Sequence, residues 1–596
     1  MRKSLFSLFV VLSICGAAVA AQTVVFEAPS YQLPGEFDRA AYEAEQQRLL
    51  TWLVAEQVEQ GLATPVSIKL TDQEMREIEL GRDVDSGSSR SALLVGVVKP
   101  VAVTFDLGSP SHGAMARAAD GGMVWTAALH SDFAAGLRVH FEDFALPQGY
   151  EVWIYSMNGG VRGPYTGHGP LDSGEFWSHT VAGPDAVLQM RSAGAAVSEQ
   201  TVTFKVTEVA HEGRDANLKT FCSYNEDCIE NGDCYQGTAI DQAKGAVALM
   251  RYVERRRTYI CSGGLLNSTE NPGTPYFLTA NHCIDDNTVA STLETWFQFT
   301  HPCGDYDCPT QWVWDNPNTL GATVVATNAT SDFTLLQLSQ TPPGGSVFLG
   351  WSTDAVAYVN GTDLYRISHP SGAPQAYSHH QVWNPPVECT GWSRGEWIYH
   401  QDQTGATEGG SSGSPVLNAA GQVIGQLSGG CGYDVYNTCN NIDNSTVDGA
   451  FAAYYDQVAP YLGTGGPCTD DDGDDFCVPA DCNDNDPAIN PGATEVCDGV
   501  DNNCDGTIDE GCGCTDGDGD GYDDVACGGT DCNDNDSAIN PGVAEICDDF
   551  IDNDCNGLID GNDPACVSSC LPVGAACTSN DECCSLRCHH RKFTCK

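Results

Sequence analysis

Cysteine placement divides this chain into parts that must fold by different means. Of 29 cysteines in 596 residues, Cys15 lies in the N-terminal leader, none lies between Ala21 and Phe221, and the other 28 follow. A high, even number of cysteines is typical of disulfide-bonded proteins from oxidising, extracellular compartments. The sequence therefore predicts a cysteine-free N-terminal part followed by disulfide-bonded domains, although spacing alone does not fix which cysteines pair.

The leader has the features of a signal peptide. Residues 2 and 3 are basic, residues 5–19 are apolar, and Ala18-Val19-Ala20 is a small-x-small cleavage pattern. A membrane anchor would need a longer segment, because the apolar core of a bilayer is about 30 Å thick. We therefore predict a signal peptide over residues 1–20, secretion to the extracellular space, and no membrane span.

Net charge restricts the partners that the chain can bind. The formal charge is −54, and residues 468–566 contain 29 Asp or Glu and no Lys or Arg. A charge of this sign argues against nucleic acid and anionic membrane surfaces as partners.

Hydrophobic patterning predicts a mainly β protein. Between about Val95 and Val209 short strand-like runs are separated by Gly, Pro and Ser, and the alternation in TVTFKVTEV is typical of a half-buried strand. We predict a β-sandwich or jelly-roll module within residues 21–215, with a helical stretch over residues 37–60. Residues 216–465 continue the strand pattern, and this length is enough for two β-barrels.

The C-terminal end contains an internal repeat and a short tail. Each repeat has six cysteines, and the motif DCNDNDxAINPG recurs 50 residues later, at Asp481 and Asp531. We predict two Asp/Cys-rich modules over residues 468–566, preceded by a flexible linker. Six further cysteines in residues 567–596 predict a separate module that disulfides hold together.

The repeats place oxygen ligands at alternate positions, as calcium-binding loops do. Ligands at positions 1, 3 and 5 followed by glycine match the start of an EF-hand loop, but the Glu at position 12 is absent, so these are not EF-hands. We predict Ca²⁺; the alternatives are an acidic spacer without metal and Zn²⁺ held by thiolates. The predicted ligands are Asp516, Asp518 and Asp520 in the best site, and Asp501, Asn503, Asp505, Asp552, Asp554 and Asn556 in two similar loops.

Three segments contain the side chains of a nucleophilic hydrolase in the order His, Asp, Ser. YFLTANHC contains His282, TSDFTLLQL contains Asp332, and GGSSGSP contains Ser412. A serine hydroxyl is a poor nucleophile at neutral pH, so it needs a base beside it and a third group that orients the base. We predict Ser412 as the nucleophile, His282 as the base and Asp332 as the orienting group. Each segment alone has a structural explanation, so the prediction depends on their joint occurrence.

The glycine-rich turn predicts a site for developing negative charge. During acyl transfer the carbonyl oxygen of the substrate becomes an oxyanion, and one backbone donor stabilises that transition state by about 3 kcal/mol. Gly410 permits a close backbone approach, so we predict the N–H groups of Gly410 and Ser412 as the donors. Cys261 and Cys283 are candidates for a disulfide beside His282.

These motifs resemble the bacterial lysyl endopeptidase branch of the chymotrypsin-like serine peptidases. The matching segments are ICSGG, YFLTANHC, TNATSDFTLLQL, GSSGSP and GQLSGG. The resemblance implies two six-stranded antiparallel β-barrels with a cleft between them, protein or peptide substrates, and no cofactor for catalysis.

Other segments resemble known modules as well. Residues 82–210, with FALPQGYEVWIY and GEFWS, are similar to the cleaved pro-region of the same family, which implies a zymogen whose pro-region is an intramolecular partner. The change to cysteine-rich sequence at Cys222 places release near residues 214–219. The acidic modules resemble metal-binding repeats of secreted bacterial proteins, and Cys570–Cys595 resembles an inhibitor cystine knot.

Two positions near the motifs depart from the family pattern. Ser411 stands where trypsin-like zymogens have the Asp that pairs with a new N-terminus, so activation is predicted to proceed by removal of the pro-region instead. Ser428, in GQLSGG, replaces a family His.

The specificity pocket departs from the pattern too. Thr446 stands where lysyl endopeptidases place the Asp of the S1 pocket, and Ala406 stands at the trypsin position. A cationic P1 side chain needs a carboxylate there. Asp443 and Asp448 are the candidates to replace it, so the P1 preference stays open.

Two functional hypotheses follow. The first is a secreted serine endopeptidase with a removable pro-region and a Ca²⁺-binding tail. The alternative is a non-enzymatic secreted adhesin or binding protein with a degenerate peptidase fold. The intact set of His282, Asp332 and Ser412 favours the enzyme.

Overall fold

The structure is a computed structural model that divides into two compact units, residues 1–467 and 468–596. In the first unit it describes residues 25–81, 92–106, 110–118, 121–157, 159–192, 202–213, 228–304, 316–383, 392–432, 438–439 and 444–463. In the second it describes residues 483, 486–489, 493, 502, 518–519, 522, 532–533, 536–546, 551–555, 588–589 and 594–595. The predicted signal peptide and the predicted release site at 214–219 lie outside these ranges.

The N-terminal half of the first unit begins with helices and continues as strands. The helices are α1 (Arg39–Glu56), α2 (Glu59–Leu62) and α3 (Asp72–Leu80), so the helix predicted over residues 37–60 is present as two helices. The strands are β1 (Glu27–Ala28), β2 (Tyr31–Gln32), β3 (Val66–Ile68), β4 (Leu93–Asp106), β5 (Ala114–Arg117), β6 (Met123–Ser131), β7 (Gly136–Ala145), β8 (Tyr150–Tyr155), β9 (Val161–Tyr165), β10 (Phe176–Trp177), β11 (Val181–Ala182), β12 (Asp185–Ser192) and β13 (Thr203–Glu212).

Two sheets enclose the core of this half. One has the order β3-β6-β12-β8-β9, with β5 beside β6, and the other contains β10-β7-β13-β4. Their inward side chains form one hydrophobic cluster that includes Phe105, Trp125, Phe141, Leu188 and Phe204, all fully buried. This two-sheet region corresponds to the module predicted from the alternating pattern.

The second half of the first unit is also mainly β. Its strands are β14 (Glu230–Asn231), β15 (Val247–Glu254), β16 (Arg257–Leu266), β17 (Tyr276–Ala280), β18 (Glu294–Trp296), β19 (Asn318–Leu320), β20 (Ala322–Asn328), β21 (Phe333–Leu338), β22 (Val347–Phe348), β23 (Trp351–Ser352), β24 (Asp363–Ser368), β25 (Ala376–Val382), β26 (Trp397–Thr404), β27 (Pro415–Leu417), β28 (Val423–Gly432) and β29 (Asn444–Ala450). The helices are α4 (Thr238–Ala246), α5 (Asn287–Ala290) and α6 (Phe451–Leu462).

These strands form one closed six-stranded barrel and one curled six-stranded sheet, so the prediction of two six-stranded barrels is confirmed in part. The closed barrel runs β28-β27-β24-β25-β26-β29, and pairing of β28 with β29 completes the ring. The curled sheet runs β18-β15-β16-β17-β21-β20. At its edge β18 pairs with β19, which lies immediately before β20 in the chain. This mainly β arrangement of a barrel and a curled sheet is consistent with a chymotrypsin-like fold.

The two halves of the first unit share a sheet. β4 pairs antiparallel with β16, with Val97 opposite Arg257 and Leu93 opposite Ile260. Near the N-terminus, β1 pairs with β23 and β2 pairs with β22. The predicted boundary near residue 215 therefore separates segments of sequence that pair with each other in the fold.

The second unit is described in short stretches only. They include a disulfide between Cys532 and Cys555 and the antiparallel pair β30 (Cys588–His589) and β31 (Thr594–Cys595). Across both units, the described residues include no helix long and apolar enough to cross a bilayer.

Candidate active site

The predicted base and its orienting group lie at the same end of two paired strands. His282 follows the end of β17 and Asp332 immediately precedes β21, and these strands pair with Ala280 opposite Phe333. The N–H of Asn281 donates to the carbonyl of Asp332 at 3.0 Å, which extends the pairing up to the site. Asp332 has φ of 53°, a left-handed conformation that Asp tolerates better than most residues.

Hydrogen bonds fix His282 and Asp332 against each other. Nδ1 of His282 lies 2.8 Å from Oδ2 of Asp332, and the backbone N–H of His282 donates to Oδ1 at 2.9 Å. The hydroxyl of Ser428 also donates to Oδ2. Burial raises the pKa of Asp332, but the charge of His282 and these hydrogen bonds outweigh burial, so its pKa is lowered. Asp332 is therefore held as a carboxylate that orients the imidazole.

Ser412 lies on the turn between β26 and β27, beside the segment that contains His282. Its carbonyl accepts a hydrogen bond from the N–H of Ser262 at 2.8 Å and lies 3.9 Å from Sγ of Cys283. Cys261 and Cys283 form a disulfide that joins β16 to the residue after His282. Among the described residues no hydrogen bond links the Ser412 hydroxyl to His282. Such contacts are often long in the absence of substrate.

The turn before Ser412 presents its backbone donors. Gly410 has φ of 98°, and a Cβ there would lie 2.8 Å from the carbonyl oxygen of His369, so a side chain would not fit. The N–H groups of Gly410 and Ser412 donate to no protein acceptor among the residues that the structure describes. They are the two N–H groups that the sequence predicts as oxyanion donors.

Ser411 stabilises this turn without an ion pair. It is fully buried, and its hydroxyl accepts hydrogen bonds from the Ser368 hydroxyl at 3.0 Å and from the N–H of Glu408 at 3.4 Å. Where a trypsin-like zymogen has a charged pair, this chain has neutral hydrogen bonds.

Few of the predicted metal ligands lie in the described residues. Asp552 and Asp554 do, and each offers an oxygen within 4.8 Å of the other and of a carboxylate oxygen of Glu545, which the sequence analysis missed. Glu545 precedes the loop by seven residues and accepts from the N–H of Asn553 at 2.8 Å. Asp518 also lies in the described residues, but none of the clusters of possible metal ligands found among them includes it. The remaining predicted ligands, Asp501, Asn503, Asp505, Asp516, Asp520 and Asn556, lie outside the described ranges.

Comparison with known proteins identifies the region that contains this site. Residues 222–448 match the family model "Lysyl endopeptidase, C-terminal domain". The lysyl endopeptidase of Pseudomonas aeruginosa is 36% identical over 232 residues, which are 38% of this chain and 48% of that protein. The chain is thus a homologue of a serine endopeptidase and spans about half the length of that relative.

Other matches are weaker or concern other regions. A secreted RxLR effector protein of Plasmopara viticola is 23% identical over 322 residues, covering 51% of this chain and 77% of that protein. Residues 481–510 and 531–561 match the family "Putative metal-binding motif", whose model is named for copper binding by MopE.

Solved protease structures are also similar to this chain. The Rv3671c protease of M. tuberculosis in its active form is 15% identical, with a TM-score of 0.26, and the match covers 41% of this chain and 95% of that one. The HtrA-type protease AlgW with a tripeptide is 17% identical, with a TM-score of 0.27, and the match covers 38% and 64%. Because these TM-scores are low, the description of the fold depends on the strand pairings alone.

The lysyl endopeptidase similarity draws attention to the carboxylates near the S1 position. Asp448 is fully buried, accepts two hydrogen bonds from Arg366 at 2.7 and 2.8 Å, and lies 2.8 Å from Nε2 of His400. Burial raises the pKa of Asp448, but the charges of Arg366 and His400 have the larger, opposite effect, so the pKa is lowered overall. Its charge is thus already neutralised inside the barrel. Asp443 lies outside the described residues.

Sequence reasoning missed Arg366 and His400 and misjudged Ser428. Arg366 occurs in LYRIS and His400 in WIYHQDQT, where polar residues at alternate positions predict side chains that face solvent. In the structure both side chains are fully buried. Ser428 was recognised only as a departure from the family, whereas its hydroxyl contacts Asp332. The signal that could have identified it is its position in GQLSGG, within the apolar strand β28.

Proposed function

We propose that this chain is the precursor of a secreted serine endopeptidase that cleaves peptide bonds through Ser412, His282 and Asp332. The observation that supports it most is the doubly hydrogen-bonded His282–Asp332 pair beside a turn whose two N–H groups have no protein acceptor among the described residues. An isolated structural histidine would not need this arrangement.

The proposed reaction follows from the positions of these groups. His282 takes the proton of Ser412 as its oxygen attacks the peptide carbonyl, and the imidazolium is stabilised by Asp332. The N–H groups of Gly410 and Ser412 bind the oxyanion of the tetrahedral intermediate. His282 then gives its proton to the leaving amine, and water releases the acyl group by the same steps.

A fluorophosphonate probe distinguishes this proposal from the non-enzymatic alternative. After removal of the pro-region, we expect the wild type to be labelled and Ser412→Ala not to be. Ser291→Ala is the matched control, because Ser291 is exposed just after α5 and its hydroxyl donates to the carbonyl of Thr288 in the same turn. A mature wild type that stays unlabelled would favour a binding protein with a peptidase fold.

We further propose that the N-terminal half keeps the precursor inactive. Leu93 of β4 pairs with Ile260, next to the disulfide at Cys261, and its Cδ1 would lie 3.5 Å from a Cβ built on Gly409 in the Ser412 turn. Ala92 packs in the same cluster as Cys261 and Cys283. The start of β4 therefore lies beside the Ser412 turn, where it would obstruct a substrate, and its removal would expose the turn.

The release site is a separate part of the proposal. The change from cysteine-free to cysteine-rich sequence places release near residues 214–219. N-terminal sequencing of the secreted active protein should give a start in this range. A start near Ala21 would show that the two-sheet region is retained in the active enzyme.

For the P1 position we propose that Asp448 does not select lysine. Its hydrogen bonds to Arg366 and contact with His400 leave no oxygen for a substrate ammonium group. A peptide library should therefore show no strong preference for Lys over neutral P1 residues. Strong Lys selection would require another carboxylate in the pocket.

For the acidic repeats we propose Ca²⁺ as the ion. Carboxylate and carbonyl oxygens are the donors that a hard cation prefers, and copper sites generally use imidazole or sulfur ligands. The converging oxygens of Glu545, Asp552 and Asp554 support an all-oxygen site.

A further inference from the structure

Two histidines and an aspartate meet inside the closed barrel, away from the Ser412 turn. His380 on β25 pairs with Asp402 on β26, and His400 lies two residues before Asp402 on the same face. Both histidine side chains are fully buried, whereas that of Asp402 is 14% exposed. The proposed peptidase mechanism uses none of the three.

The Nε2 atom of each imidazole has a buried partner. Nε2 of His400 lies 2.8 Å from Asp448, which Arg366 holds with two hydrogen bonds. Nε2 of His380 lies 2.7 Å from the hydroxyl of Ser378. Metal-binding histidines characteristically use the second ring nitrogen in this way, because the hydrogen bond fixes the tautomer and the ring orientation.

The Nδ1 atoms of the two histidines are in different situations. Nδ1 of His380 lies 2.6 Å from Oδ1 of Asp402. Nδ1 of His400 is buried and has no hydrogen-bond partner among the residues that the structure describes. One ligand atom from each of the three residues lies within 4.8 Å of the other two. A buried ring nitrogen without a partner is costly, and a shared cation would satisfy it.

We propose that His380 Nδ1, His400 Nδ1 and the Asp402 carboxylate bind a transition-metal dication, with Zn²⁺ as the best fit. Two imidazoles and one carboxylate suit Zn²⁺ and not Ca²⁺. The charge balance also favours a cation, since Asp402 and Asp448 carry two negative charges against the single positive charge of Arg366. The exposed edge of Asp402 gives the ion a route into the barrel. Bound there, it would cross-link β25 to β26.

The test uses the full chain carrying Ser412→Ala, so that no proteolysis intervenes, in millimolar Ca²⁺ to occupy the oxygen-rich repeats. Co²⁺ serves as the probe, because its visible absorption bands report imidazole coordination. We expect one Co²⁺ per chain with these bands, displaced by Zn²⁺, and a higher midpoint of thermal unfolding with Zn²⁺ than with a chelator.

Two variants and a control make the result specific. His400→Gln and Asp402→Asn should each weaken binding by at least about 10-fold and remove the thermal shift. His379→Gln is the control: His379 neighbours His380 on β25, but its side chain bonds Asp363 instead. Asp402→Asn, at the exposed edge, keeps the test valid if His400→Gln fails to fold. The proposal would be overturned if the parent protein showed no imidazole-type Co²⁺ bands, or if the bands were unchanged in Asp402→Asn. His380 and Asp402 would then be only a hydrogen-bonded pair.

Discussion

Asp332 is the residue on which the geometry of the catalytic site depends. It accepts from the backbone and the side chain of His282 and from Ser428, and these bonds keep it ionised despite nearly complete burial. The order His, Asp, Ser led to the prediction that Asp332 orients His282, and the structure places the two side chains in contact. The contribution of Ser428 was not predictable, because β28 reaches Asp332 only through the tertiary fold.

We expect Asp332→Asn to lower kcat by about 10⁴-fold, because an amide favours the wrong tautomer of His282. Hydrolysis of a peptide substrate by the mature enzyme measures this effect, with Asp354→Asn, at an exposed position, as the control. A loss of less than about 10-fold would mean that another group orients His282.

At the scale of elements, the local strand patterns were readable and their long-range pairing was not. Alternation in TVTFKVTEV predicted β13, and the strand-like run YFLTA predicted β17, whose five residues are all buried, since both patterns are local signals. Nothing local indicates that β4 pairs with β16 more than 150 residues away, or that β19 pairs with β18. These pairings depend on which strand edges are still unpaired after the strands adjacent in sequence have formed their hydrogen bonds.

The junction between the two halves contains a buried carboxylate whose titration should be measurable. Glu294 on β18 accepts from the hydroxyl and N–H of Thr180 at 2.6 and 3.1 Å, and Arg138 lies 4.0 Å away. Burial raises the pKa of Glu294, but the charges of Arg138 and His179 and the Thr180 hydrogen bond lower it to about 2.

A group with a depressed folded-state pKa stabilises the fold above its unfolded pKa and loses that contribution as pH falls. We therefore expect the Ser412→Ala precursor to lose stability between about pH 4.5 and pH 2 in part through Glu294. Glu294→Gln should be less stable at pH 7 by about 3–5 kcal/mol, since it leaves Arg138 buried without its charge partner. Denaturant unfolding at pH 7 and pH 3.5 measures both effects. An unchanged difference in stability between the two proteins at the two pH values would contradict this role.

At the scale of the whole molecule, charge is concentrated in the second unit, where 29 acidic residues occupy residues 468–566. The repeat and its ligand spacing were visible in sequence. Glu545 was not, because it joins Asp552 and Asp554 only through the turn stabilised by its bond to Asn553. Like charges at this density repel, and bound cations would relieve that repulsion.

We expect calorimetry on the full chain to detect Ca²⁺ binding with dissociation constants of roughly 10⁻⁴–10⁻³ M, the weak extracellular range. Glu545→Gln and Asp552→Asn should each reduce the heat of binding, and Asp241→Asn, in the first unit, should not. No Ca²⁺ heat at millimolar ion, or a response to Cu²⁺ alone, would show that the repeats are a spacer or a copper site.

Ser412 is the proposed nucleophile of this peptidase, and turnover by the Ser412→Ala variant of the mature enzyme is the measurement that checks it. We expect peptide hydrolysis to fall by about 10⁶-fold while the midpoint of thermal unfolding stays that of the wild type, because the small substitution removes the attacking oxygen and little packing. A folded Ser412→Ala protein that retains more than trace activity would contradict the assignment of Ser412, and with it the account of the site.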